Sequence, residues 1–105
     1  MRLKLLAEAA AEFYGTPDLR SRVQPEAGKT TSARHACWWV ACESMSPRYK
    51  KSDVGRFWRM DRTAVFYGCK LVNTRIAAIP AEKRQLKAFV RFVKQYIKKH
   101  RRGVK

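Results

Sequence analysis

Acidic residues are scarce in this chain. Eight Asp and Glu stand against 24 Lys and Arg among 105 residues, which gives a formal net charge of +16. The acids are scattered singly, so the sequence lacks the clustered carboxylates with which a nuclease binds metal ions. Because Lys and Arg gain most affinity by neutralising phosphates, we expect nucleic acid as the partner; the plainer alternative is a basic surface without a special ligand.

Metal-binding and catalytic signatures are also missing. Cys37, Cys42 and Cys69 form no Cys-x-x-Cys pair, and His35 and His100 do not complete a zinc spacing. We interpret the cysteines as small apolar residues in a reducing compartment, and we expect neither a metal nor a cofactor. Since no third residue completes a Cys-His nucleophile, we predict no enzymatic activity.

The sequence has no apolar run that approaches the length of a membrane span. Its basic N-terminus continues into Glu8 and Glu12, unlike a signal peptide. We therefore expect a soluble cytoplasmic protein associated with the nucleoid. The hydrophobic fraction of 46% is ample for a core, and the length suits one domain over residues 1–105, so disorder of the whole chain is disfavoured.

Helical spacing of apolar residues covers most of the chain, without repeats or strand-like alternation. It predicts an all-α fold, a compact bundle of about five to six helices. The first helix spans about residues 2–14 and precedes a basic loop region over 15–30, where Pro, Gly and polar residues concentrate. A further helix begins at an N-cap near Thr31 or Ser32, ends before Pro47, and carries on one face Ala36, Cys37, Val40, Ala41 and Met45.

Residues 50–78 are expected to form a helix-turn-helix. Its first helix covers about 50–58 and its second about 62–78, with Asp61 as the N-cap. The second helix opens with short polar and cationic side chains before its apolar stripe, a shape suited to entering a DNA groove. That stripe recurs at intervals of four and three residues, through Val65, Cys69, Val72, Ile76 and Ile79.

Two further features separate core from surface. The last helix, over about residues 81–101, has an apolar stripe that we expect to close the core and a solvated basic outer face, in preference to a membrane-bound one.

Adjacent residues on a helix point about 100° apart, so of Trp38 and Trp39 we expect one in the core and the other at the surface. Stacking of these rings on bases is the alternative, which is found mainly in proteins that bind single strands.

A resemblance to a known family extends over about residues 3–100. Residues 57–70 read F-W-R-M-D-R-T-A-V-F-Y-G-C-K, residues 33–43 read A-R-H-A-C-W-W-V-A-C-E, and Val54-Gly55 precedes the turn. These stretches resemble F-G-G-R-D-H-T-T-V-x-x-A-C-x-K, A-R-Q-x-A-x-Y-L-A-R-E and I-G in the DNA-binding C-terminal domain of the bacterial replication initiator DnaA. The resemblance implies a helix-turn-helix fold like that domain's, of the Trp-repressor-like kind.

The resemblance also implies base contacts at the start of the recognition helix, from Asp61, Arg62, Thr63 and Ala64. Arg62 can bind guanine O6 and N7 bidentately, and Thr63 can offer its methyl to thymine and its hydroxyl to a base edge or a phosphate. Asp61 can accept a hydrogen bond from cytosine N4 or act only as the N-cap, and both roles remain open.

Contacts to phosphates and to the minor groove are implied elsewhere. Arg34 falls on a phosphate-contacting position of the family, and Lys50 and Lys51 strengthen a second one at the start of the 50–58 helix. The full expected set of phosphate contacts is Arg34, His35, Lys50, Lys51, Arg59 and Lys70. In the loop that carries the family's minor-groove arginine, the candidates are Lys29 and Arg22.

Departures from the family pattern limit what carries over. The family's histidine is Arg62 here and its second threonine is Ala64, so we do not expect the DnaA recognition sequence to apply. Cys42 replaces a basic residue, and Trp58 stands where the family has a turn glycine. The chain also lacks the phosphate loop G-x-x-x-x-G-K-[ST], and with it any ATPase module.

Two functions of different classes follow. The first is sequence-specific binding of double-stranded DNA by a stand-alone transcriptional regulator or binder of replication sites. The second is a module that contacts replication or transcription proteins, or binds DNA or an anionic surface without specificity, through helix 81–101. Monomer and dimer both remain open, because a helix-turn-helix often binds two half-sites whereas the related initiator domain resembles a monomeric reader.

Overall fold

The computed structural model describes residues 2–16, 27–45 and 47–103. Within those ranges the chain forms five α-helices and no strand, which confirms the all-α prediction. The helices are α1 (Arg2–Tyr14), α2 (Ala27–Trp39), α3 (Lys51–Trp58), α4 (Arg62–Ala78) and α5 (Pro80–Gly103), and α2 continues directly into a π-helical segment, Val40–Ser44. None of the helices in these ranges combines the length and the apolar character needed to cross a membrane.

Helix bounds follow the sequence pattern closely except at α2. The helices predicted over 2–14 and 62–78 are confirmed, and α5 extends slightly beyond the predicted 81–101. The loop predicted over 15–30 is wrong for residues 27–30, which form the first turn of α2, so the N-cap expected near residues 31 and 32 is also wrong. Glycine and β-branched residues lower helix propensity there, but such preferences are weak and tertiary packing overrides them. Residues 17–26 of that loop lie outside the described part of the chain.

The core takes buried side chains from all five α-helices and from the π-helical segment. Its largest fully buried side chains are Trp38, Phe89, Leu3, Leu6, Val40, Val54, Val65 and Cys37. Trp38 is 2% exposed, whereas Trp39 is only half-buried and its indole N–H donates to Asn73 Oδ1 at 2.9 Å. This confirms the prediction that one of the two tryptophans lies in the core and the other at the surface. Ile79 departs from its predicted stripe, since it is 45% exposed at the end of α4.

A close crossing of α2 over α4 fixes the orientation of α4. A Cβ added to Gly68 would lie 2.6 Å from Trp38 Cε3 and 2.9 Å from His35 Cδ2. The indole and imidazole rings therefore rest on the backbone of α4, and a larger residue at position 68 requires one or both rings to shift. Two hydrogen bonds flank this crossing, the one from Trp39 to Asn73 and one from Arg75 Nη1 to Ser32 Oγ at 3.3 Å.

Candidate nucleic-acid interface

The N-terminal ends of α3 and α4 line a common open cleft of about 580 Å³. Three of its lining residues are cationic and one is aromatic; the full lining is Lys50, Lys51, Ser52, Arg62, Thr63 and Phe66. Two of the residues expected to contact phosphates thus lie beside two of those expected to contact bases. The cleft therefore joins positive charge to hydrogen-bonding and apolar groups on one surface.

A tight turn between α3 and α4 positions the two sides of this cleft. Arg59 takes up the left-handed conformation, with φ 57° and ψ 41°. Its N–H donates to the carbonyl of Arg56 at 3.3 Å, and the N–H of Met60 donates to the carbonyl of Gly55 at 2.8 Å. These two bonds form a Schellman motif, which ends α3, and only three residues separate α3 from α4.

Helix α4 then begins at an N-cap. Asp61 is extended, with φ −64° and ψ 143°, and its Oδ1 accepts a hydrogen bond from the N–H of Thr63 at 3.3 Å. The predicted capping role of Asp61 is therefore confirmed. Because one oxygen makes the cap while the side chain is exposed, the second oxygen remains accessible to a base.

The N-terminus of α3 faces the other side of the cleft. Lys50 is its N-cap residue and makes no side-chain capping bond. The positive end of the helix dipole therefore adds to the charges of Lys50 and Lys51, and an anion in the cleft meets all three. Lys50 is exposed and Lys51 is half-buried.

The outward face of α4 carries a row of exposed residues that continues from the cleft. It contains Arg62, Thr63, Phe66, Tyr67, Lys70 and Leu71 at intervals of about one turn. Phe66 is 50% exposed and Tyr67 is 58% exposed, and their rings meet edge to face at 5.9 Å. Ala64, by contrast, is half-buried and does not belong to this row.

Phe66 and Tyr67 are the site residues that sequence reasoning missed. Part of the signal was present in the sequence, since Val65, Cys69 and Val72 define the inner face of α4 and leave 63, 67 and 70 on the opposite face, with 66 at its edge. Exposed aromatic rings in a row of cations are unusual on a monomer and indicate a binding surface.

Arg34 and His35 lie outside the cleft, where α2 crosses α4. Both are half-buried, and the imidazole packs 5.4 Å from the ring of Trp38. Burial, together with Arg75 and Arg34, lowers the pKa of His35 below its ordinary value, so the ring is neutral at pH 7. Burial also lowers the pKa of Arg34, although a guanidinium stays charged under all ordinary conditions. Of the two, only Arg34 carries a permanent positive charge.

Two of the remaining predicted contacts are described by the structure, and neither lines the cleft. Arg59 is exposed in the turn, and Lys70 is exposed on α4 two turns beyond Arg62. Lys29 belongs to the first turn of α2, so its assignment to a loop is wrong, and its side chain is not in the described part of the structure. Arg22 lies outside the described residues altogether.

The cysteines lie in the core, as the sequence predicts. Cys37, Cys42 and Cys69 are free and buried, and the Cys37 thiol lies 3.9 Å from the carbonyl of Leu6. Burial raises the pKa of Cys37, while a hydrogen bond from the Cys69 thiol lowers the pKa of Cys42 and raises that of Cys69. No group of three or more His, Cys, Asp or Glu that could hold a metal occurs among the described residues.

Comparisons with known proteins leave the geometry as the basis for a functional assignment. The chain matches no protein-family model, no curated protein and no solved structure.

Proposed function

We propose that this protein is a sequence-specific binder of double-stranded DNA, which places the N-terminal part of α4 in the major groove and the N-terminus of α3 on the phosphate backbone. In this proposal it is a helix-turn-helix domain like the C-terminal domain of DnaA, acting as a transcriptional regulator or at replication sites. The observation that carries the proposal is the shared cleft, where Lys50 and Lys51 of one helix meet Arg62, Thr63 and Phe66 of the next.

The dimensions of α4 suit the major groove. An α-helix with its side chains is about 10–12 Å across, and the groove is about 12 Å wide. The exposed row reaches from Arg62 to Leu71, and its first residues stand at the free end of the helix, directly after the turn. When this end of α4 enters a groove, its short and cationic side chains contact the DNA first.

Phosphate contacts set the position of the protein on the duplex. A phosphate beside the N-terminus of α3 meets two lysines and the positive end of the helix dipole. Such contacts hold a recognition helix in register but carry no sequence information. Arg59 and Lys70 extend the same role on either side of the cleft.

Base contacts supply the specificity. Arg62 offers a bidentate pair of donors to guanine, and Thr63 offers a methyl and a hydroxyl. Phe66 adds an apolar surface one turn further along α4, which suits the methyl group of thymine. The site thus favours a target that contains guanine and thymine in neighbouring positions.

Selection from a random duplex pool, followed by sequencing, tests the proposal. We expect a consensus, and the affinity of the wild type for it should exceed that for random duplex at every salt concentration. In the double variant Arg62→Ala with Thr63→Ala, the ratio of the affinities for consensus and random duplex should fall by about 10- to 100-fold. This loss corresponds to one or two base contacts.

A second pair of variants separates charge from base reading. Lys50→Ala with Lys51→Ala should weaken binding to consensus and random duplex alike and lower the slope of log affinity against log salt by about two. Lys94→Ala with Lys98→Ala removes the same charge from exposed positions on α5 and serves as the control. If selection returns no consensus and the Arg62 and Thr63 variant behaves like this control, the proposal is wrong and a non-specific binding module is favoured.

A further inference from the structure

A second surface lies away from the cleft, along α5. It is an open groove of about 420 Å³ between α5, the end of α4 and the junction of α2 with the π-helical segment. We refer to it as the α5 groove, and its lining consists of Trp39, Ser44, Ile76, Lys83, Leu86, Lys87, Val90 and Arg91. Its volume falls in the range of sites that bury side chains or small ligands.

The floor of the α5 groove is apolar and rigid. Leu86 is buried at the base of the groove, whereas Trp39, Ile76 and Val90 are half-buried and keep part of their surface open. The hydrogen bond from the Trp39 indole to Asn73 holds the largest of these rings in place. A ligand that fills the groove with apolar groups therefore gains burial without having to reorganise the floor.

The rim of the α5 groove is cationic. Lys83, Lys87 and Arg91 are exposed and follow one another at intervals of four residues, about 6 Å apart along the helix axis. None of the described side chains that line the groove is acidic. An apolar floor beside an evenly spaced row of cations is complementary to a ligand that has an apolar face and a parallel row of anions.

We propose that the α5 groove docks an acidic amphipathic helix of a partner protein. On such a helix, apolar residues at i, i+3, i+4 and i+7 fill the floor, and Asp or Glu at i and i+4 repeats the spacing of the cations. The chemistry of the partner is thus an acidic helical segment with one apolar face. This proposal does not depend on DNA binding at the cleft.

Two other anionic ligands fit the groove less well. A DNA backbone would meet the three cations but would leave the apolar floor uncovered. A membrane surface would require a continuous exposed apolar face along α5, yet Phe89 and Val93 of that face are buried in the protein core. An acidic amphipathic helix satisfies both the floor and the rim.

The α5 groove remains open when the cleft is occupied. Thr63 in the cleft and Ile76 in the groove are separated by thirteen residues of α4, which correspond to about 20 Å along its axis and about 220° around it. A partner at the groove and a duplex at the cleft therefore approach from different sides. The protein can hold both at once and thus bring the partner to a DNA site.

A labelled model peptide of about 16 residues tests the docking proposal. The peptide carries Leu at helical spacing on one face and Glu at i and i+4 beside it, and its binding to the full chain is followed by fluorescence anisotropy. We expect saturable binding with a Kd in the micromolar range. Lys83→Glu with Lys87→Glu should weaken it at least about tenfold, whereas Lys94→Glu with Lys98→Glu, at exposed positions outside the groove, should weaken it much less.

Further experiments distinguish binding at the α5 groove from general attraction between opposite charges. A peptide of the same composition in scrambled order keeps the charge but loses the apolar face, and it should bind at least about tenfold more weakly. Val90→Asp should also weaken binding of the ordered peptide, with the helical circular dichroism spectrum retained. Equal binding of both peptides, equal effects of the two lysine pairs, or a Kd above about 1 mM would overturn the proposal. Loss of duplex or anionic-vesicle binding in the Lys83 and Lys87 variant, with peptide binding intact, would overturn it as well.

Discussion

The carbonyl oxygen of Met60 lies 2.6 Å from the position that a Cβ on Gly55 would occupy. Real Cβ atoms do not approach a backbone oxygen so closely, so the turn after α3 can fold this tightly only over a glycine. The same carbonyl stands at the entrance to α4. Gly55 therefore controls how α3 and α4 meet at the cleft, although it lines no part of it.

Replacement of this glycine should therefore disturb both folding and the cleft. We expect Gly55→Ala to lower the free energy of unfolding by about 1–3 kcal/mol, since the strain exceeds the gain in helix propensity. Urea denaturation measures this change, and Ser52→Ala in the same helix is the control, at an exposed position. A stabilised Gly55→Ala variant would show that the turn relaxes without cost.

Arg59 offers a case in which stability and DNA binding should change in opposite directions. It is the one non-glycine residue with positive φ in the described part of the chain, and glycine adopts this conformation without a steric penalty. We expect Arg59→Gly to raise the free energy of unfolding by about 1 kcal/mol. Because the exposed guanidinium is lost, affinity for duplex DNA should fall.

The comparison variant for Arg59 is Arg59→Ala, which loses the same charge but keeps a side chain in the left-handed region. It should match Arg59→Gly in DNA affinity and should not share its gain in stability. If both variants are stabilised equally, relief of backbone strain is not the cause.

The contact between Trp38 and Gly68 should behave as a coupled pair. Gly68→Ala places a methyl group against the indole, and we expect a loss of about 1–3 kcal/mol. In a Trp38→Leu background the same methyl group meets a smaller side chain, so the loss should shrink by at least about 0.5 kcal/mol. A double-mutant cycle from urea denaturation measures the difference, and strictly additive effects would contradict the contact.

Stability should depend on pH through His35. The folded pKa of His35 lies below its ordinary value of 6.5 because the ring is buried and faces Arg75 and Arg34. As the pH falls, the unfolded chain takes up the proton first, so the stability that is present above about pH 6.5 is lost below it. We expect the wild type to lose more stability than His35→Gln between about pH 7.5 and about pH 5.5.

The difference between the two pH curves isolates this histidine, because all other titrating groups are shared. Urea midpoints at each pH provide the measurement. Parallel curves would show that protonation of His35 is not linked to unfolding.

We expect Phe66 to contact thymine methyl groups and to contribute little to the stability of the protein. We expect Phe66→Ala to change the free energy of unfolding by less than about 0.5 kcal/mol, since half of the side chain is exposed. Its affinity for the selected consensus should fall about tenfold. A duplex in which uracil replaces thymine lacks the methyl groups. The wild type should bind this duplex more weakly than the thymine duplex. Phe66→Ala should bind the two duplexes equally.

Thr63 provides the control for this assignment, because its own methyl group can also contact thymine. Thr63→Ser removes that methyl and keeps the hydroxyl. If Thr63→Ser becomes insensitive to uracil and Phe66→Ala stays sensitive, the contact belongs to Thr63.

Helix ends were predictable where a residue has a strong local preference. Asp61 provides a side-chain cap, and Pro80 begins the last helix, so α4 has the bounds that the sequence indicates. The start of α2 was not predictable, because Gly28 and the threonines that follow favour a loop locally while α2 is held in place by contacts distant in sequence. Local preferences cannot report such contacts.

The candidate site also contains residues that the sequence predicts and features that depend on how the helices pack. Arg62, Thr63, Lys50 and Lys51 were expected as contact residues because of the family resemblance, and the structure brings all four to one cleft. His35 was expected as a phosphate contact, but its position under the crossing of α2 and α4 depends on how two helices pack. The α5 groove is formed by three separate segments, so no single stretch of sequence indicates it.

The crossing of α2 over α4 also predicts a pattern of joint variation. Since the indole of Trp38 occupies the space beside Gly68, neither position can change freely while the other stays as it is. In a library with both codons randomised and folded variants recovered, a large aromatic residue at 38 should be found with glycine at 68, and alanine or serine at 68 with a smaller residue at 38. The two positions would be inherited as one unit, although thirty residues separate them in the chain.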